Sequence, residues 1–276
     1  MTLHRPESLD AALALLAQGG VLLAGGTDVY PALRDGAPPA QMIDVTRVDG
    51  LRGITRNDGL WRIGGATTWT DILRADLPAC FDGLKLAARE VGSVQIQNAG
   101  TVAGNICNAS PAADGVPPLL TLNAEVEIAG ASGVRRVPLS DFITGPRQTD
   151  LRAGEIVTAL LIPDAAGRGA FQKLGARKYL VISIAMVAVV VDATGGRIDR
   201  AAVAVGACSP VARRLPALEA ALVGASANDL PSICVSAPID LSPIDDVRAS
   251  AAYRREAVRT LISRTLLQAM EASHVA

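Results

Sequence analysis

Two stretches of the chain place small residues where a backbone could come close to a ligand. The first is Leu23-Ala24-Gly25-Gly26-Thr27-Asp28, between an apolar run and a candidate helix. The second is Thr101-Val102-Ala103-Gly104-Asn105, inside a glycine- and asparagine-rich segment running from Gly92 to Asp114. Residues without bulky side chains let successive N–H groups point at the oxygens of a pyrophosphate. A helix beginning just beyond adds partial positive charge. Neither stretch fits G-x-G-x-x-G or G-x-x-x-x-G-K-S/T, so the spacing supports neither a Rossmann turn nor a P-loop. Taken alone, each reads first as a tight turn.

Other chemistries find less support. The four cysteines, Cys80, Cys107, Cys208 and Cys234, lie far apart, and the histidines are His4 and His274 alone. Metal and iron–sulfur sites are usually announced by short ligand spacings, so no metal is expected on this chain. Lys plus Arg number 26 against 27 Asp plus Glu in 276 residues, for a net charge of −1. That balance lacks the basic excess of a nucleic-acid binder. Tyr179 to Val191 is the longest apolar stretch, too short to span a bilayer and interrupted by Ser183. No signal-peptide core follows Met1, and the expectation is a soluble, cytoplasmic protein.

Several elements must position the two stretches. Ser8 reads as an N-cap for a helix with Leu9, Leu13 and Leu16 on one face, stopped by Gly19-Gly20. Val21 to Ala24 reads as a buried strand, and Tyr30 to Leu33 as a helix ended by Asp35-Gly36 and Pro38-Pro39. Further strands are expected at Met42 to Val45 and Trp61 to Ile63, and helices at Thr70 to Arg74 and Leu84 to Glu90. The Gly92 to Asp114 segment reads as a long polar loop. Glu125 to Ile128 alternates with period two and turns through Gly130-Ala131-Ser132-Gly133 into Val134 to Val137, a hairpin. Ile156 to Ile162 is another strand, and Asp164 to Gly169 the best linker. Beyond it come strands at Val181 to Val191 and Ala201 to Val205 around a Gly195-Gly196 turn. A last helix, Ala251 to Met270, has Val258, Leu261, Ile262, Thr265 and Leu266 on one face.

In this context the motifs resemble one family. Ala24-Gly25-Gly26-Thr27-Asp28, then Val91 through Asn105, then Asn108-Ala109-Ser110-Pro111-Ala112-Ala113-Asp114 are similar to the flavin subunit of the xanthine dehydrogenase and carbon monoxide dehydrogenase group of molybdenum hydroxylases. The resemblance continues through Phe171 to Arg177 and ends in Ser242-Pro243-Ile244-Asp245-Asp246-Val247-Arg248-Ala249-Ser250-Ala251-Ala252-Tyr253-Arg254-Arg255, similar to the hallmark of the family's C-terminal domain. It implies an α+β chain. Residues 1–165 would form the two-subdomain FAD-binding fold of the p-cresol methylhydroxylase and vanillyl-alcohol oxidase type, divided at about 53/54. Residues 168–276 would form a smaller α+β domain of the CO dehydrogenase flavoprotein type.

Carried over position by position, Leu22, Leu23, Ala24, Gly25, Gly26, Thr27, Asp28 and Val29 would form the first diphosphate loop. Thr101, Val102, Ala103, Gly104 and Asn105 would form the second. Asp114 matches a carboxylate that hydrogen-bonds the cofactor, and Val91, Val157 and Lys173 match further FAD contacts. Without the resemblance, Lys173 reads as a surface lysine; beside a flavin its charge would offset negative charge on the ring. Gln97 stands where relatives carry arginine and Val181 where many carry aspartate. Tyr179 is either stacked on the flavin or, the reading taken, a core aromatic; Cys107 reads as a small buried thiol. A bulky residue at Gly26 or Gly104 is expected to abolish FAD retention by collision or disallowed backbone angles.

The resemblance also implies partners: a large subunit carrying the molybdenum cofactor and a small 2Fe–2S subunit, assembled as a dimer of heterotrimers. Electrons from those clusters would pass through FAD on this chain to an external acceptor. Two rival readings are a free-standing FAD-dependent oxidoreductase and a flavin-free assembly module. The first lacks an evident acid–base pair or an internal histidine for covalent attachment; the second leaves the glycines without a reason.

Overall fold

The structure, a computed structural model, describes residues 1–33 and 37–271. Asp35, Gly36 and His274 lie outside the described residues. The chain opens with a strand, Thr2–His4 (β1), and a helix, Leu9–Ala17 (α1), whose N-terminal Ala11 N–H is accepted by Ser8 Oγ at 3.3 Å. Val21–Leu23 (β2), the short helix Val29–Ala32 (α2) and Gln41–Asp44 (β3) follow. The three strands are parallel in the order β1-β3-β2. The Leu9, Leu13 and Leu16 stripe of α1 packs onto Ala12, Ile43 and Val45, as its spacing requires.

Ile54–Asn57 (β4) and Leu60–Gly64 (β5) begin a second sheet, and five helices then intervene: Trp69–Arg74 (α3), Asp82–Glu90 (α4), Val94–Ala99 (α5), Val102–Asn108 (α6) and Val116–Thr121 (α7). The hairpin Glu125–Gly130 (β6) and Gly133–Pro138 (β7) continues it; the turn of helix Leu139–Phe142 (α8) and a separate two-stranded hairpin, Ile143–Gly145 (β8) and Gln148–Thr149 (β9), come next, and Ile156–Pro163 (β10) completes the sheet. The sheet is antiparallel in the order β4-β5-β10-β6-β7. β10 is central and buried along all but its last residue, which is why it reads as an unbroken apolar run.

Here the expected polar loop from Gly92 to Asp114 is corrected: α5 and α6 occupy most of it. Ser93 Oγ accepts the Ile96 N–H at 3.4 Å and Thr101 Oγ1 accepts the Gly104 N–H at 3.0 Å. Two N-caps start helices that the glycines and asparagines by themselves disfavour. Gly104 therefore lies in a helical first turn, and the expectation of special backbone angles there fails.

A third sheet holds Arg168–Leu174 (β11), Ala185–Thr194 (β12), Arg197–Gly206 (β13) and Arg213–Arg214 (β14), antiparallel in that order. The helices Pro216–Leu222 (α9), Leu230–Ser236 (α10) and Ala251–Glu271 (α11) follow it, and α11 buries Val258, Leu261, Ile262, Thr265 and Leu266. Two boundaries differ from expectation. Arg168 and Gly169 are strand rather than linker; Gly169 packs so tightly that a Cβ would lie 2.5 Å from the Cys80 carbonyl oxygen. β12 starts at Ala185 instead of Val181, because the preceding apolar residues are surface: Tyr179, Leu180 and Ile182 are exposed and Leu180 has φ +52°. Tyr179 is thus no core aromatic. Among the described residues, no helix is long and apolar enough to cross a membrane.

Candidate functional site

The first small-residue stretch leaves β2 and enters α2; the second is the cap and first turn of α6. They meet directly. A Cβ built on Gly25 would lie 2.0 Å from the carbonyl oxygen of Ala99 and 2.8 Å from Gly100 Cα, so this glycine lets two backbones touch. Gly26 has φ +69° and turns the chain toward α2.

Between the two stretches opens a cavity of about 470 Å³, within the range of small-molecule sites. Leu22, Ala24, Gly25, Gly26, Thr27, Asp28 and Val29 line one side, and Thr101, Ala103, Gly104 and Asn105 another; Val91 and Val157 also line it. Leu23 and Val102 do not, since both side chains turn into the core. The sequence reading missed Gly65, Trp69, Ile96, Gly100, Leu151 and Ile156, which also form its wall. Only the tertiary fold brings them there.

The polar groups available in the cavity are unevenly shared. Among the described residues, the N–H groups of Thr27, Asp28 and Val29 make no hydrogen bond, and Asp28 does not cap α2 with its side chain. In the second stretch the N–H groups of Val102, Gly104 and Asn105 are already used, by Thr67 O, Thr101 Oγ1 and Thr101 O. A row of free donors is therefore absent at 102–105, contrary to expectation. What this side offers is small residues for close approach and the Asn105 Oδ1, buried without a hydrogen-bond partner. An orphaned buried acceptor is costly unless a ligand donates to it. Cys107 lines the same cavity, its thiol pushed by burial up to about 12, so it stays protonated at neutral pH.

Asp114 and Lys173 lie outside this cavity but together. Lys173 Nζ is 2.6 Å from Asp114 Oδ2, both side chains are more than nine-tenths buried, and Ser183 Oγ donates to Asp114 Oδ1 at 2.8 Å. Lys173 is therefore no surface lysine. Burial pushes the Asp114 carboxyl above its ordinary range while Lys173 and Ser183 pull against it. Lys173 also lines a second cavity with Glu90 and Phe171; Glu90 faces this one as its neighbour Val91 faces the first. Gln97, buried in α5, donates to the Arg89 carbonyl at 3.1 Å.

An apolar-walled cleft with free backbone donors at 27–29, one unpartnered amide oxygen and, among the described residues, no metal-ligating cluster fits a dinucleotide. Comparison with known proteins agrees. The family described as "FAD binding domain in molybdopterin dehydrogenase" matches residues 1–165, and the one described as "CO dehydrogenase flavoprotein C-terminal domain" matches residues 170–269. The chain belongs to this family; it is an FAD-dependent oxidoreductase subunit of the molybdenum hydroxylase type.

Among its relatives, the xanthine dehydrogenase FAD-binding subunit of Escherichia coli O157:H7 is 33% identical, over 98% of this chain and 96% of that one. The glyceraldehyde dehydrogenase medium chain of Sulfolobus acidocaldarius is 32% identical over 93% and 94%. A chain of carbon monoxide dehydrogenase from Hydrogenophaga pseudoflava superposes with a TM-score of 0.87 at 30% identity, covering 98% of this chain and 96% of that one. The fold is thus the expected FAD-binding domain followed by the C-terminal domain of CO dehydrogenase flavoproteins.

Proposed function

We propose that this chain holds FAD across the cavity between residues 22–29 and 101–105 and carries electrons within a molybdenum hydroxylase complex. Bound there, FAD supplies the chemistry of accepting electrons from iron–sulfur clusters and giving them up to an external acceptor. The partners are a large subunit bearing the molybdenum cofactor and a small 2Fe–2S subunit, as a dimer of heterotrimers in the cytoplasm. The FAD-binding unit spans residues 1–165, in subdomains 1–53 and 54–165, and the C-terminal unit spans 168–276.

The chain's own residues bind and orient. The N–H groups of 27–29 take the diphosphate oxygens and the Asn105 side chain a neighbouring hydroxyl. Val91 and Val157 exclude water beside them. Asp114 accepts a hydrogen bond from the cofactor, and Lys173, held by Asp114, places positive charge near the ring. The observation that carries this reading is the convergence of the two small-residue stretches on one cleft.

The test is flavin content. The purified full chain should show flavin absorbance or take up added FAD stoichiometrically. A colourless chain that refuses FAD would favour the assembly role, and turnover without any partner subunit would favour a free-standing oxidoreductase.

A further inference from the structure

Arg147 belongs to the two-residue turn of the β8–β9 hairpin, where Gly145 pairs with Gln148. Its φ is +60°, a left-handed conformation that a non-glycine residue adopts with strain. Its N–H donates to the Ala109 carbonyl at 2.8 Å, and Ala109, which caps α6, has φ +47°. Two strained residues brace each other, and the brace fixes where the Arg147 side chain starts.

From there Arg147 Nη1 donates to the side-chain oxygen of Asn108 and, at 3.3 Å, to its carbonyl oxygen. The Asp28 carboxylate lies 4.0 Å from Nη1, and Asn108 Nδ2 donates to Asp28 Oδ1 at 2.9 Å. Asp28 comes from the first stretch and Asn108 from the end of α6, and both line the 470 Å³ cavity. Arg147, Asn108 and Asp28 therefore close a chain of polar contacts across two lips of that cavity.

Charge gives this cluster a purpose. Among the described residues, Asp28 is the one acidic side chain lining the cavity, and no lysine, arginine or histidine does. A diphosphate on the N–H groups of 27–29 would face that carboxylate in a partly enclosed cleft, where like charges repel most. Arg147 supplies a cation at the rim. Its Nε and Nη2 make no hydrogen bond among the described residues, so a planar pair of donors stays available.

We infer that Arg147 is a diphosphate-recognition residue of this site, neutralising Asp28 and offering its remaining donors to phosphate oxygens. The inference rests on the proposed FAD placement and adds to it a binding residue outside both small-residue stretches.

The test uses the full-length chain stripped of flavin, with ADP, adenosine and FAD as probes, and the variants R147Q and R147K. Arg147 is 61% exposed, so these substitutions leave the core alone. ADP and FAD should bind R147Q about tenfold more weakly or worse, as loss of a charge-assisted contact implies. Adenosine affinity should stay the same, the salt dependence of ADP binding should fall, and R147K should recover part of the loss. Wild-type ADP affinity in R147Q, or equal losses for ADP and adenosine, would overturn the assignment. Wild-type protein that takes up neither FAD nor ADP would instead remove the site placement beneath it.

Discussion

Replacing Gly25 with alanine separates the contact that builds the cleft from the ligand that fills it. The added Cβ would sit 2.0 Å from the Ala99 carbonyl oxygen and 2.6 Å from its carbon. Both are backbone atoms, so no rotamer relieves the clash. To reach the 3.4 Å of an ordinary contact, the two segments must part by about 1.4 Å. Overpacking of this kind costs up to about 3 kcal/mol, a large share of a domain's stability. For a chain of this size that is a fall in Tm of roughly 6–12 °C. The same displacement pulls the N–H groups of 27–29 away from the opposite wall; losing one charge-assisted bond weakens FAD about tenfold.

Gly104→Ala is the control for stability alone, because Gly104 itself lines the cavity. Its Cβ meets only Thr101 Oγ1, at 2.8 Å. Alanine's helix preference, about 1 kcal/mol, then roughly offsets a disturbed N-cap of similar worth. Flavin titration and thermal melts of the flavin-free proteins give both readouts. G25A with wild-type Tm and wild-type FAD affinity would refute the claim that bare backbone contact shapes the site.

Two further predictions follow from charge. Asp114→Asn strands a buried Lys173 ammonium and should cost about 3–5 kcal/mol in urea unfolding, whereas the double change with Lys173→Met should recover much of it; equal losses in the single and double variants would show that the pair is not coupled. Glu155, gripped by the Arg135 guanidinium at 2.7 Å, has its carboxyl lowered from 4.5 to about 2. A depressed acid contributes stability that is present above its unfolded value and lost as pH falls, here from about 4.5 down through about 2. E155Q should flatten the stability–pH curve over that window, and an unchanged acid limb would reject the assignment.

Much of the architecture is legible where one physical cause dominates. Ser8 before a leucine stripe, period-two alternation at 125–128 and the apolar run of β10 each allow one structure. Where causes compete, the reading fails. Glycine and asparagine density at 92–108 argues for loop, but Ser93 and Thr101 caps and burial of Val102 and Ile106 make helix. The apolar letters of 179–182 argue for strand, yet they are surface. β4, Ile54-Thr55-Arg56-Asn57, carries too few apolar residues to announce itself and exists by pairing with β5. The two stretches were visible as candidates for the site; Trp69, Ile96 and Ile156 have no local signal, because only packing brings them to the cleft.

The C-terminal hallmark makes sense on the same terms. Arg254, 2% exposed, donates to the carbonyls of Ile184 and Ala207 and to Asp246 at 2.7 Å, all from outside its own helix. Ile184 follows Ser183, whose hydroxyl holds Asp114, which in turn holds Lys173. A guanidinium in α11 thus fixes the entry to β12, and through one residue the ion pair joining the turn before α7 to the third sheet. Asp114 precedes the 164–167 connection and Lys173 follows it, so neither half of the chain contains the pair alone. Motifs at 24–28, 91–114, 171–177 and 242–255 therefore belong together physically. Two shape the cleft, one supplies the lysine, and the last locks the strand entry that keeps the lysine's partner in place.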